Sequence, residues 1–306
     1  MLLPQRLQIG DTIGVIAPAG PPNIANLKRA IPVFQKMGLG VRLGTHINNV
    51  NGYLAGTDEE RLSDLHNMFA DPAIKAIIFA RGGYGTARIA PNINYNLIQQ
   101  NPKIMWGYSD ITFLHTTIYQ ATGLVTFHGP MVASDVGKDN FHDLSLKQFE
   151  QLFEPATLVY SEIASKLTVI NHGIATAPIV GGNLSLLAST IGTPYEIDTK
   201  GKLLLIEDVD EVPYKIDGML NQLKQAGKLA NAAGILVGDF ANAEPKEGKH
   251  SLTLEHVFYD YFSNLLIPIV SGFKIGHCQP HFAIPLGTTA TIDTFRKIVK
   301  IDPGVR

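Results

Sequence analysis

Five short strand-like segments in the first half of the chain, at residues 12–18, 41–43, 74–80, 104–106 and 124–127, alternate with segments of helical periodicity. Strands without a polar face are buried on both sides, and strands alternating with helices build a parallel sheet covered by helices on each face. The helix signals are local. Asn23 can cap a helix over 24–37, although Pro32 inside it argues for a late start or a kink. Thr57 and Glu60 have the spacing of a capping box; Leu62, Leu65, Met68 and Phe69 follow it at helical intervals, and Asp71-Pro72 stops the helix. In such sheets the ligand crevice lies beyond the carboxyl ends of the strands. Two segments fall at such ends, Arg81-Gly82-Gly83-Tyr84-Gly85 and the turn at Ser109.

A chain of 306 residues favours two domains. The composition changes after residue 153 to a Pro-, Ser- and Thr-containing stretch of weak periodicity, which divides the chain into an α/β domain at 1–155, a linker at 156–172 and a mixed α+β domain at 173–306. With 45% hydrophobic and 17% charged residues the chain is globular, and a net charge of -2 predicts no general attraction to nucleic acid or an anionic membrane. The single cysteine, Cys278, excludes an intramolecular disulfide and a cysteine-built zinc site, and no other ligand cluster points to a metal. No secretory signal and no membrane-length apolar run is seen, so the cytosol is the expected location.

Gly107-Tyr108-Ser109-Asp110-Ile111 joins an apolar run directly to a helical segment. A serine on so abrupt a turn is pushed out of both elements beside the positive end of the helix, the mechanical logic of a nucleophile elbow. Ile111 stands where the second glycine of Gly-x-Ser-x-Gly would be, and an N-cap role for Ser109 is the alternative. A base must come from elsewhere. His277, on an irregular segment after a buried strand, is the best placed, with His281 a competitor; His115 sits on the helix after the turn and reads as a packing or capping residue. Glu207 ends an apolar strand, where its carboxylate needs a partner, although Asp208, Asp210 and Glu211 follow closely. Gly82-Gly83-Tyr84-Gly85 offers unobstructed amides for an oxyanion, without the signature of a phosphate or dinucleotide loop.

Taken together and in order, Ile13–Gly20, Ala80–Gly85, Gly107–Thr112, Ile206-Glu207-Asp208 and Gly276-His277 resemble the LD-carboxypeptidases, a family that includes the microcin C self-immunity hydrolases. Gly181-Gly182-Asn183-Leu184 and Pro285-Leu286-Gly287 extend the likeness over nearly the whole chain. The resemblance implies a flavodoxin-like or Rossmann-like domain followed by a smaller mixed domain, and a homodimer. It also implies a serine peptidase without cofactor, in which Ser109 is nucleophile, Glu207 acid, His277 base, and the amides of Gly83 and Asp110 form the oxyanion hole. The implied substrate is the cytoplasmic murein tetrapeptide, which loses its terminal D-alanine in cell-wall recycling. Asp217-Gly218 departs from the Asp-Arg expected there.

Arg81, Tyr84 and His128 are candidates for substrate contacts, with Arg81 and Arg88 the cations nearest the glycine loop for a terminal carboxylate. The microcin branch carries a tryptophan that stacks on adenine; the only tryptophan here, Trp106, reads as buried, which favours the cell-wall branch. The rival readings are a non-catalytic small-ligand binding protein and a nucleotide-dependent oxidoreductase, the latter disfavoured by the missing glycine fingerprint.

Overall fold

The computed structural model describes residues 1–248 and 250–306. The chain divides into two compact units. The first comprises Met1–Ala156, Gln279–Gly287 and Pro303–Arg306, the second Thr157–Cys278 and Thr288–Asp302.

The first unit is the expected α/β layer structure. Its strands β1 (Thr12–Ile16), β2 (Gly40–Leu43), β3 (Ile74–Phe79), β4 (Ile104–Gly107) and β5 (Thr126–His128) pair in parallel in the order β5-β4-β3-β1-β2. This is the flavodoxin-like order, whose direction reverses between β1 and β3 and so opens a crevice at their carboxyl ends. Helix α1 (Ile24–Lys36) starts at the Asn23 cap, which accepts from the Asn26 amide, and runs on through Pro32, so the late start does not occur. Burial of Leu27, Ala30 and Phe34 offsets the backbone hydrogen bond that the proline removes. Helix α2 (Asp58–Ala70) has the complete Thr57–Glu60 capping box. Val15, Phe34, Ile78, Trp106, Phe127 and Phe149 belong to one buried core between sheet and helices.

Two expectations give way here. The strand Ile284–Leu286, far along the chain, adds to β5 antiparallel and belongs to the first unit, so 173–306 is not one continuous domain. Residues 156–172, expected as a linker, supply two strands, β6 (Leu158–Ser161) and β7 (Thr168–Asn171).

The second unit is mixed α+β. After β6 and β7 come β8 (Ile174–Asn183), β9 (Leu203–Val209), β10 (Gly234–Ala241) and β11 (Ile269–Ser271). The strand Ile284–Leu286 is β12, and β13 (Thr289–Asp293) and β14 (Ile298–Ile301) close the series. The sheet runs β6-β14-β13-β8-β9-β10-β11-β7, with a parallel centre from β8 to β11 and antiparallel flanks. The β9 residues Leu203 to Ile206 are fully buried, as strands covered on both faces must be. No described helix is long and apolar enough to cross a membrane.

Candidate active site

Ser109 and the glycine loop lie in the first unit, Glu207 and His277 in the second.

β4 ends at Gly107, Ser109 to Ile111 form a single 3-10 turn, and the helix Thr112–Thr122 follows without a loop. Ser109 has φ 63°, the left-handed region that costs a residue with a Cβ roughly 1–3 kcal/mol at a strained functional position. Its hydroxyl caps neither the turn nor the helix, so the N-cap alternative fails. Behind the turn, His115 Nε2 is 2.8 Å from the Gly107 carbonyl oxygen. A carbonyl only accepts, so Nε2 carries the proton. Burial drives the His115 pKa down to about 3, which keeps the ring neutral.

The glycine loop packs directly on this turn. A Cβ at Gly82 would stand 2.8 Å from Ser109 Cβ, 3.0 Å from its Oγ and 3.3 Å from the Asp110 amide nitrogen, so any side chain there would occupy the space in front of the hydroxyl. Gly83 follows at φ 115°, with its backbone at the surface. The Gly82 carbonyl accepts from the Gly20 amide at 3.1 Å, joining the loops that leave β1 and β3 at the point where the strand order reverses.

Thr86 and Arg61 hold the loop from behind, and neither was singled out by sequence reasoning. The Thr86 amide donates to Asp110 Oδ2 at 2.9 Å and its hydroxyl to the Asp110 carbonyl at 2.7 Å. The fully buried Arg61 guanidinium donates to the carbonyls of Pro18 and Gly85 and to Asp58, which also accepts from Arg88. Arginine hydrogen bonds hold the Asp58 carboxyl below its usual pKa. A helix-face arginine has no sequence signature of burial, which is why Arg61 escapes a reading of periodicity.

In the second unit Glu207 is buried within β9 with 0% exposure, and its Oε2 lies 2.8 Å from His277 Nδ1. An ionised carboxylate only accepts, so opposite it Nδ1 is the donor of this contact. The surroundings are cut to this pair. A Cβ on Gly276, at φ 127°, would be 2.7 Å from Glu207 Oε2, and one on Gly238 would be 3.1 Å from Glu207 Cβ. The segment before His277 is fastened by the Asp239 amide to the Ile275 carbonyl and by the Lys274 amide to the Tyr160 hydroxyl. The neighbouring acids have other duties. Asp208 accepts from Asn183 and Ser185, and burial raises its pKa; Asp210 accepts from Asn242. Cys278, next to the imidazole, has its thiol pushed up to about 12 by burial and is protonated at neutral pH.

The other candidates divide. Arg81 is exposed and donates to the Pro21 carbonyl at 3.1 Å, whereas Arg88 is paired with Asp58. Tyr84 is half exposed and meets Tyr53 edge to face with centroids 5.8 Å apart. His128, expected to line the pocket, is 0% exposed and packs against Tyr108 and His281. It has no surface to offer a substrate, because β5 is covered on both faces. His281 is buried in the same cluster and its amide donates to Ser145, so the candidate base nearest to His277 in sequence is a core residue.

The N-terminal domain model of the LD-carboxypeptidases matches residues 13–129 and the C-terminal domain model matches 176–292. The chain belongs to the LD-carboxypeptidase family. As a member of this family it is a carboxypeptidase, and the matched segments contain Ser109 and the Glu207–His277 pair respectively. It is 54% identical to the probable murein peptide carboxypeptidase of Bacillus subtilis, across 99% of this chain and 95% of that protein. It is 31% identical to the murein tetrapeptide carboxypeptidase of Pseudomonas aeruginosa, across 93% and 94%. Among solved structures, the muramoyltetrapeptide carboxypeptidase of Oxalobacter formigenes superposes with a TM-score of 0.85 at 27% identity, covering 95% of this chain and 98% of that one. The apo microcin C7 self immunity protein MccF shares the fold, with a TM-score of 0.91 at 24% identity over 99% and 98%.

Proposed function

We propose that this LD-carboxypeptidase removes the terminal D-alanine from murein tetrapeptides by a Ser109–His277–Glu207 mechanism. His277 Nε2 takes the Ser109 proton as Oγ attacks the scissile carbonyl, while Glu207 stabilises the imidazolium through Nδ1. The amides of Gly83 and Asp110 receive the oxyanion. His277 then protonates the amino group of the leaving D-alanine, and water, deprotonated by the same imidazole, releases the tripeptide from the acyl-enzyme. Arg81 is the proposed receiver of the substrate's terminal carboxylate, and the protein is proposed to work as a cytosolic homodimer in cell-wall recycling.

The observation that carries this reading is the buried Glu207 carboxylate on His277 Nδ1. A core carboxylate costs several kcal/mol to desolvate unless it is paired, and pairing it with a loop histidine fixes the tautomer that a general base needs. Two further points favour the cell-wall substrate. Relatives named for murein peptides match over nearly the full chain. Trp106 is 0% exposed, stacked between Phe127 and Phe149, with its indole N–H donated to the Pro130 carbonyl, so it has no face for a nucleobase.

Incubation with a murein tetrapeptide and, separately, an aminoacyl-sulfamoyl adenosine, followed by mass spectrometry, tests the proposal. Tripeptide and free D-alanine from the first, absent with Ser109→Ala, are expected. Turnover of the nucleoside compound alone would transfer the assignment to the microcin branch, and turnover of neither would favour a binding protein.

A further inference from the structure

The two amides assigned to the oxyanion come from segments that the sheet itself does not join. Pairing between β3 and β4 ends at Ile78 and Trp106, before either loop begins. Gly83 and Asp110 therefore need another device to hold them at one spacing. The Thr86–Asp110 contact has the required form. It is two-pronged, with the Thr86 amide donating to the Asp110 carboxylate at 2.9 Å and the Thr86 hydroxyl to the Asp110 carbonyl at 2.7 Å. It is also dry, with Thr86 0% and Asp110 1% exposed.

A buried carboxylate is costly unless its acceptor sites are met, so the Thr86 end of the glycine loop is drawn onto the turn. On its far side the loop is fixed by Arg61, which donates to the Gly85 carbonyl at 2.8 Å. Gly85, at φ 133°, leaves no room for a side chain there: a Cβ would stand 2.7 Å from both Arg61 Nη1 and Leu54 Cδ2.

We propose that Thr86 and the Asp110 side chain form a positioning clasp, which locks the glycine loop to the Ser109 turn so that the Gly83 and Asp110 N–H groups converge on one oxygen. The proposal rests on the reading of Ser109 as the nucleophile. Oxyanion donors lower a barrier because they are aimed in advance, and one donor is worth roughly 10²–10³ in kcat. Loosening the clasp misaims donors without removing one, so a smaller loss confined to the transition state follows.

Thr86→Val keeps the shape and the amide but deletes the hydroxyl bond; Thr86→Ser keeps the hydroxyl. The measurements are kcat and KM on a tetrapeptide, melting temperature, and affinity for a tripeptide boronic acid whose boron replaces the scissile carbonyl carbon. For Thr86→Val, kcat and boronate affinity should both fall about tenfold or more, with KM within about twofold, and Thr86→Ser should restore most of the loss. Asp110→Asn, which replaces one accepting oxygen by a donor, should give the same signature. Wild-type-like kcat and boronate affinity in Thr86→Val would overturn the clasp, as would a loss that merely tracks the unfolded fraction. Labelling of wild-type Ser109 by a serine-directed phosphonate separates the two levels. Absent labelling removes the nucleophile reading and the clasp with it, whereas labelling beside an unaffected Thr86→Val removes the clasp alone.

Discussion

Glu207 Oε2 lies 2.8 Å from His277 Nδ1, and the carboxylate that makes this contact has no exposed surface. Residues 70 positions apart in the chain are joined here because β9 delivers the acid from the core while the loop after β11 delivers the imidazole. Gly238 and Gly276 leave the space that the contact occupies.

Glu207→Gln should lower kcat by on the order of 10⁴, with little change in melting temperature. The glutamine NH2 can face Nδ1 only if Nδ1 becomes an acceptor, which moves the ring proton to Nε2 and removes the base. Steady-state kinetics on a tetrapeptide check this, and activity near wild type would mean the pair is structural.

Arg81→Ala should raise KM for free-acid tetrapeptides by about tenfold or more, as expected for loss of a charge-assisted contact worth roughly 1.5–3 kcal/mol. C-terminally amidated analogues should be affected little. Arg88→Ala, which removes a partner of Asp58, should not discriminate between the two substrates.

These expectations mark what the sequence makes legible. The alternation in the first half, the Thr57–Glu60 box and the abrupt turn at Ser109 are written in local spacing, so they can be read without the fold. β6 and β7 cannot, because each is four residues long and is defined by partners at Ile298–Ile301 and Ile269–Ser271. Ile284–Leu286 is a strand only because β5 lies open beside it. The choice between Glu207 and Asp208 is likewise invisible locally. Adjacent strand residues face opposite ways, and only the positions of His277 and Ser185 decide which acid serves which. Thr86 and Arg61 act through carbonyls and a carboxylate brought together by folding, and helical spacing gives no hint of either role.

His115 should make stability depend on pH in acid. Its folded pKa of about 3 lies below the ordinary histidine value of 6.5, so between these values the unfolded chain binds a proton that the folded one refuses. Its contribution is complete above pH 6.5 and is lost as pH falls towards 3. His115→Gln, which can keep the donor to Gly107, should lack this slope. Urea unfolding of both proteins from pH 7 to 4.5 should change their stability difference by ~2–3 kcal/mol in favour of the variant. An unchanged difference would contradict the buried neutral ring.

Gly218→Ala should stabilise the protein by about 0.5–1 kcal/mol, the helix-propensity gap between the two residues. Gly218 lies inside the helix Pro213–Gln225, and a Cβ there meets nothing within 4 Å. Chemical denaturation reads the change; destabilisation would show that the helix depends on the missing side chain.

The proposed mechanism has His277 activate Ser109. It is tested most directly by the rate at which a serine-directed phosphonate modifies Ser109 in the wild type and in His277→Ala, followed by mass spectrometry of the intact protein and its peptides. Modification of the wild type at Ser109 alone, slowed on the order of 10³-fold or more in His277→Ala, is the expected result. Equal rates in the two proteins, or modification at another residue, would contradict it.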